Sequence, residues 1–432
     1  MAEIKQILPG VRCGTARIPA SKSRAHRLLI LGALSEKPSE LICNGLSNDI
    51  LATIDCLNSL GAGIEVSPDG KIHIIPIERN AGGDIISDVA ALPCRDSGST
   101  LRFLLPLAGV LHRRTRFEME GRLPERPLDP YDQELTAHGM RIRKDGSGLI
   151  CEGELHPGDY TLPGDVSSQY ISGLLMALPL LDGDSTLTVT GTVESGDYIR
   201  MTEDALKDAQ ISFTREHNRY YIPGRQICDP PQTRAVEGDW SGAAFFLTLG
   251  ALSPEGVLVK GISTSSLQGD KAIIDILQRF GADIRETGDG IIASYAPLHG
   301  ITVDASAIPD LVPVISVAAA AASGTTQIIN AARLRLKESD RILSTAQMLT
   351  SIGASVEEGP DSLTIRGCGF VPGNRMLSGG NVDSFNDHRI AMSAAVAAAV
   401  CDSPVTISDP DCVRKSFSDF WDVYDSLTRR PL

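Results

Sequence analysis

Leu277-Gln278-Arg279-Phe280-Gly281 runs into Asp283–Ser294, and the same arrangement of helix end, small residue and paired strands recurs along the chain. Leu57-Asn58-Ser59-Leu60-Gly61 runs into Ile64–Ile75, Leu135–Gly139 into Arg141–Cys151, Leu206–Ala209 into Ile211–Ile222, and Leu349–Gly353 into Ser355–Ile365. The small residues recur about every 70–78 positions, and most are glycines suited to closing a helix. Asp69-Gly70, Asp145-Gly146 and Asp289-Gly290 mark hairpin turns between the strands.

A second series keeps the same register. Polar clusters open apolar helices at Ser21-Lys22-Ser23, Asp96-Ser97-Gly98-Ser99, Asp165-Val166-Ser167-Ser168, Asp239-Trp240-Ser241-Gly242, Ile308-Pro309-Asp310 and Asn386-Asp387-His388-Arg389. Ser, Asp, Asn and Pro are residues that a helix start favours. The stretches Leu101–Ala108, Tyr170–Leu180, Ala243–Ala251 and Ile390–Val400 are apolar all round, which predicts buried helices. Each unit therefore reads as βαβαββ, and six units fill the chain. The sixth ends on a helix over Phe417–Leu427 without a hairpin, and its missing strands are expected from residues 1–20, read as two strands around Pro9-Gly10. The predicted architecture is α/β, with two similar domains of three units each: residues 21–235, and residues 1–20 plus 236–432. Asp229-Pro230-Pro231-Gln232-Thr233 is the expected crossover. A binding solenoid is the other reading of such repetition, but solenoid periods are shorter, about 20–50 residues.

Composition narrows the function. With 432 residues, 42% hydrophobic and 22% charged, the chain is long enough for two globular cores. A net charge of −14 disfavours broad nucleic-acid or anionic-membrane surfaces. The longest apolar runs fall short of the roughly 20 residues that span a bilayer. Met1-Ala2-Glu3-Ile4-Lys5 has no export-signal pattern, so a cytoplasmic protein is expected. Nine scattered cysteines without a Cys-x-x-Cys pair and eight histidines without ligand spacing suggest neither a metal site nor a cofactor.

All six polar clusters take the same place, the N-terminus of a buried helix, where exposed N–H groups and the helix dipole attract anions. Three such ends in each of two facing domains would surround an anionic ligand. Ser21–Arg27 adds Lys22, Arg24 and Arg27; Gly121–Pro127 adds a basic loop; Lys337-Glu338-Ser339-Asp340-Arg341 and Arg414-Lys415 add more cations. Taken alone, each reads more readily as a solvated helix start, a surface loop or i,i+4 pairing. Their common register sets them apart.

The ordered stretches Ser21–Arg27, Asp96–Arg102, Gly121–Pro127, Gly164–Gln169, Ser195–Tyr198, Ile308–Asp310, Arg335–Arg341, Asn386–Arg389 and Asp411–Phe417 resemble those of the EPSP synthases, a branch of the enolpyruvyl transferase family. The resemblance spans the chain. It implies the family's inverse α/β barrel fold, a site in the cleft between the domains, and closure on substrate. The implied reaction moves the enolpyruvyl group of phosphoenolpyruvate to the 5-hydroxyl of shikimate 3-phosphate by addition and elimination, in a monomer. On this resemblance, shikimate 3-phosphate meets Ser23, Arg27, Ser167, Ser168, Gln169, Ser195, Tyr198, Asp310 and Lys337. Phosphoenolpyruvate meets Lys22, Gly98, Arg122, Gln169, Arg341, Arg389 and Lys415. Asp310 is the expected base at the hydroxyl, and Glu338, with Lys22, the expected group for proton exchange at C3. Gly98 is the form the family associates with sensitivity to glyphosate.

Asp96, Ser99 and Arg333 depart from the family's common Asn, Thr and Asn. Asp96 could cap its helix or pair with Arg102 or Arg122. The sister enzyme that uses a UDP-sugar acceptor has Lys-Asn where this chain has Lys22-Ser23, and a reactive Cys in the loop that here, over Arg113–Pro127, has none. A non-catalytic phosphoanion binder is the alternative of another class. A P-loop NTPase is disfavoured because no Gly-rich Lys-Ser/Thr loop occurs.

Overall fold

The computed structural model describes residues 3–78, 86–374 and 377–430. The chain divides into two compact units, Ala20–Val236, and Met1–Pro19 with Glu237–Leu432.

In Ala20–Val236 three four-stranded sheets repeat one pattern. Asp159–Pro163 lies parallel to Ser185–Thr190, and the hairpin Thr214–Glu216/Arg219–Ile222 completes the sheet antiparallel. Ile86–Arg95, Arg113–Met119, Gly148–Gly153 and Met140–Asp145 form the second sheet in the same order. In the first, the place beside Ser39–Ile42 is taken in parallel by Thr233–Ala235, from the far end of the unit.

The other unit is built likewise, with one departure from the sequence reading. Ile4–Ile7 does complete the sixth repeat, pairing antiparallel with Val405–Ser408. Val11–Arg17 does not: it lies parallel to Val257–Lys260 in the fourth repeat's sheet, and Thr428–Arg430 pairs with its other edge. The reason is burial. Val257–Lys260 offers the same open parallel edge that Thr233–Ala235 fills in the first unit, and docking there buries Val11, Cys13 and Ala16. Gly10, at φ +132°, turns the chain away from a simple hairpin; a Cβ there would stand 2.6 Å from the Arg430 carbonyl oxygen.

Gly98–Val110, Ser168–Ala177, Trp240–Ala251, Val312–Ala321 and His388–Ala397 are buried because their sequences leave no polar face. Gly98–Val110 and Ser168–Ala177 pack closely in the first unit; a Cβ on Gly173 would stand 2.6 Å from the Arg102 carbonyl oxygen. All of Trp240–Ala251, Val312–Ala321 and His388–Ala397 is buried in the second. Each buried Leu, Ile or Phe contributes about 1.5–3 kcal/mol to its core. At five of the six repeated polar clusters a side chain satisfies an otherwise orphaned N–H: Ser21, Ser97, Ser167, Asp239 and Asp387 accept from Arg24, Thr100, Gln169, Gly242 and Arg389 respectively. Ser97, not Asp96, is the cap of its helix. Val312–Ala321 has no side-chain cap and starts instead with Pro313 in its first turn.

Candidate active site

In Ala20–Val236 the polar helix starts collect the predicted residues. Helix Lys22–Ala33 places Lys22 Nζ 2.9 Å from Asp49 Oδ2, both side chains 13% exposed. Further along this helix, Arg27 is buried and, among the described residues, hydrogen-bonds to neutral oxygens: Nε to Thr202 Oγ1 at 2.7 Å, Nη1 to the Ser23 carbonyl at 2.6 Å, and Nη2 to the Tyr198 carbonyl at 2.9 Å and Ser172 Oγ at 3.3 Å. Burial lowers its pKa to about 9, which leaves it charged at neutral pH. A buried cation with neutral partners alone projects a positive field, the condition an anion site needs.

Around it, Ser167 caps Ser168–Ala177, so that Ser168 and Gln169 stand in the first turn. Gln169 donates to Ser99 Oγ at 2.9 Å and accepts from Arg102 Nη1 at 2.7 Å, which fixes its amide. Ser195, 3% exposed, precedes helix Gly196–Asp208 with φ +53°, a left-handed conformation costly for a residue with a side chain. Arg122 is largely exposed, 3.7 Å from Glu125. Gly98 is needed for space: a Cβ would stand 2.6 Å from Arg102 Nη1 and 2.8 Å from Arg126 Nη1.

In the other unit the centre is Arg341, whose side chain has no exposure. Its Nε lies 2.8 Å from Asp387 Oδ2, Nη1 2.6 Å from Asp310 Oδ1 and Nη2 2.6 Å from Glu338 Oε2. Arg389 Nη2 reaches the second Asp310 oxygen at 2.9 Å. Asp387, itself unexposed, also accepts from Ser339 at 3.0 Å and caps His388–Ala397. Lys415 Nζ bonds the Asn386 carbonyl at 2.7 Å.

The electrostatics follow from these contacts. Burial would raise the pKa of Asp310, but the charges of Arg389, Lys337 and Arg341 overcome it and hold the carboxyl well below the usual range. Burial would weaken Arg341, and Asp387, Glu338 and Asp310 overcome that too. Burial takes Lys337 down to about 8, against the pull of Asp310, with Arg333 and Arg341 adding to the fall.

The sequence matches the family described as EPSP synthase (3-phosphoshikimate 1-carboxyvinyltransferase) over residues 11–424. The chain belongs to the EPSP synthase family. It is 40% identical over 427 residues to the 3-phosphoshikimate 1-carboxyvinyltransferase of Clostridium beijerinckii, covering 98% of this chain and 97% of that one. It is 41% identical over 414 residues to that of Clostridium acetobutylicum, covering 94% and 93%. Among solved structures, an EPSP synthase from Acinetobacter baumannii superposes with a TM-score of 0.78 at 26% identity over 98% of both chains. The enolpyruvyl transferase NikO from Streptomyces tendae shares the fold, with a TM-score of 0.77 at 15% identity over the whole of both chains. As an EPSP synthase the chain is an enzyme of the shikimate pathway, which transfers the enolpyruvyl group of phosphoenolpyruvate to shikimate 3-phosphate; the UDP-sugar alternative is not favoured. Among the described residues no helix is long and apolar enough to cross a membrane.

The geometry gives places to residues that the ligand and catalytic assignments left out. Asp387 organises Arg341 and caps a helix; Asp49 holds Lys22; Arg102 and Arg126 occupy the space beside Gly98. One signal for Arg102 was in the sequence: an arginine inside an apolar, buried helix must have a reason to be there.

Proposed function

We propose roles for these residues in the family's reaction. Arg27, with the serines and Gln169 at the neighbouring helix start, takes the phosphate and hydroxyls of shikimate 3-phosphate, with Ser23, Tyr198 and Lys337 as further contacts. Lys22, Arg122, Arg341, Arg389 and Lys415 neutralise the carboxylate and phosphate of phosphoenolpyruvate, Arg as a fork and Lys as a point charge. The observation that carries this reading is the cluster in which Arg341 and Arg389 hold Asp310 and Glu338. Its cations are balanced by carboxylates until an anionic ligand competes for them.

In the reaction, Asp310 accepts the proton of the 5-hydroxyl as its oxygen bonds to C2. C3 gains a proton, and the tetrahedral ketal phosphate then loses phosphate as C3 gives a proton back. Glu338, 2.6 Å from Arg341, serves C3, with Lys22 assisting. Glu338→Gln is expected to slow solvent deuterium incorporation into C3 by about 10²-fold or more. Exchange at the wild-type rate would remove Glu338 from this role.

Two further outcomes follow from geometry. A methyl at Gly98 must push two guanidinium ends aside, an overpacking cost of about 1–3 kcal/mol, or about 5- to 150-fold in affinity. Gly98→Ala is therefore expected to raise both KM for phosphoenolpyruvate and the inhibition constant of glyphosate, which competes with phosphoenolpyruvate in the wild type; unchanged constants would contradict it. Lys337 loses its proton as pH rises through about 8, so kcat/KM for shikimate 3-phosphate falls there, and Lys337→Gln abolishes that fall. For stability the sign is opposite. The folded protein binds fewer protons than the unfolded chain between about 8 and the ordinary 10.5, so this lysine's contribution improves as pH rises through that window. A kcat/KM profile with the same limb in Lys337→Gln would exclude Lys337 as its source.

The nine cysteines form no disulfide, which suits a reducing cytoplasm, and the enzyme acts as a monomer; a sedimentation mass of one chain would support this, and a dimer would refute it.

A further inference from the structure

Asp270 stands in the 3-10 turn Gly269–Ala272, is 2% exposed, and has no place in the roles above. Its Oδ2 shares a hydrogen bond with the hydroxyl of Ser241, in the first turn of Trp240–Ala251. Its Oδ1 is buried, with no hydrogen-bonding partner among the described residues. A buried carboxylate oxygen without a donor is very costly, whereas the carbonyl oxygen of a neutral acid in the same place costs far less.

The charges facing Asp270 point the same way. Asp239 at the start of Trp240–Ala251 and Asp310 ahead of Val312–Ala321 oppose its ionisation, while Arg389 on His388–Ala397 favours it. On its own turn, Lys271 is drawn off to the carbonyls of Thr264 and Ser266 at 2.8 and 2.9 Å. Behind Asp310, the cations Arg341, Arg389 and Lys337 already face the carboxylates Asp310, Glu338 and Asp387. A further ionised carboxyl would have to share Arg389 with Asp310.

We propose that Asp270 is a positioning residue for this reaction: as a neutral acid it leaves the charge of Arg389 to Asp310 and the incoming anion, and when it ionises it competes for that charge. The proposal rests on the roles given above to Asp310 and Arg389. Burial first, and then the charge of Asp310, push the Asp270 carboxyl up to about 7, with Arg389 and Ser241 opposing, so the competition begins near neutral pH.

The test is steady-state kinetics of the wild type and Asp270→Asn with both substrates across pH. The amide keeps the size of the neutral acid and cannot ionise. Ionisation of phosphoenolpyruvate itself is common to both enzymes, so the wild-type KM divided by the variant KM isolates the carboxyl. That ratio is expected to rise about threefold or more between about pH 6.5 and pH 8.5. A flat ratio, which a purely structural Asp270 would give, overturns the proposal. Ser241→Ala is the second variant, in case the amide does not fold. It removes the hydroxyl that stabilises the ionised carboxyl, so the rise in KM is expected at higher pH than in the wild type, and an unmoved rise also overturns the proposal. A wild type that releases no phosphate at any pH would instead defeat the reaction on which the proposal rests; a flat ratio is told apart because it is measured in two active enzymes.

Discussion

Arg341→Met is expected to lower stability by about 3–5 kcal/mol, because it removes a buried guanidinium that three carboxylates share. Three acids lose the Arg341 guanidinium at once: Asp387, with no exposure, Glu338, 18% exposed, and Asp310, also 18% exposed, which keeps Arg389. Methionine restores some of the packing but none of the forked hydrogen bonds. The damage extends to the helix starting at His388, since Asp387 caps it and an uncompensated charge there prefers water to its place at the cap. In a domain of this size about 2–4 °C is lost per kcal/mol, so the melting temperature of that unit should fall by about 6–20 °C. Scanning calorimetry of the full chain reads this directly. A drop of less than about 2 °C would mean that these contacts contribute little net stability.

The second large effect concerns chemistry rather than folding. Asp310→Asn is expected to reduce kcat by about 10²–10⁴-fold, the usual contribution of a positioned base, with a much smaller change in KM. In the free enzyme Asp310 is a poor proton acceptor, because Arg341 at 2.6 Å and Arg389 at 2.9 Å stabilise its charge. An anionic ligand that draws on those arginines raises the proton affinity of Asp310, so the base is activated when there is substrate to attack. Asparagine keeps an acceptor oxygen for one arginine and should fold. A kcat within about threefold of the wild type would remove Asp310 from this role.

Much of the fold was legible because the repeat writes itself in glycines and caps. Gly61, Gly139, Gly281 and Gly353 all adopt positive φ at helix ends, where the sequence placed them. The buried helices could be read from the absence of any polar face. What could not be read was which sheet takes a strand that arrives from far along the chain. Val11–Arg17 and Thr233–Ala235 each fill a parallel edge beside a strand from a distant part of the sequence, a choice made by tertiary burial. The site shows a similar limit. Motif spacing marks Arg341 and Asp310 as residues of interest, but not that Arg341 is enclosed by three carboxylates, nor that Asp270 lies near them. Sequence neighbours suggested ordinary salt-bridge patterning for Lys337–Arg341. The decisive partners are Asp310, thirty-one residues back in the same repeat, and Asp387, from the next one.

Phosphate release from the purified protein, given phosphoenolpyruvate and shikimate 3-phosphate together and with each omitted in turn, tests the central claim most directly. The account predicts release only when both are present. Release with a UDP-sugar in place of shikimate 3-phosphate, or none with either acceptor, would contradict it.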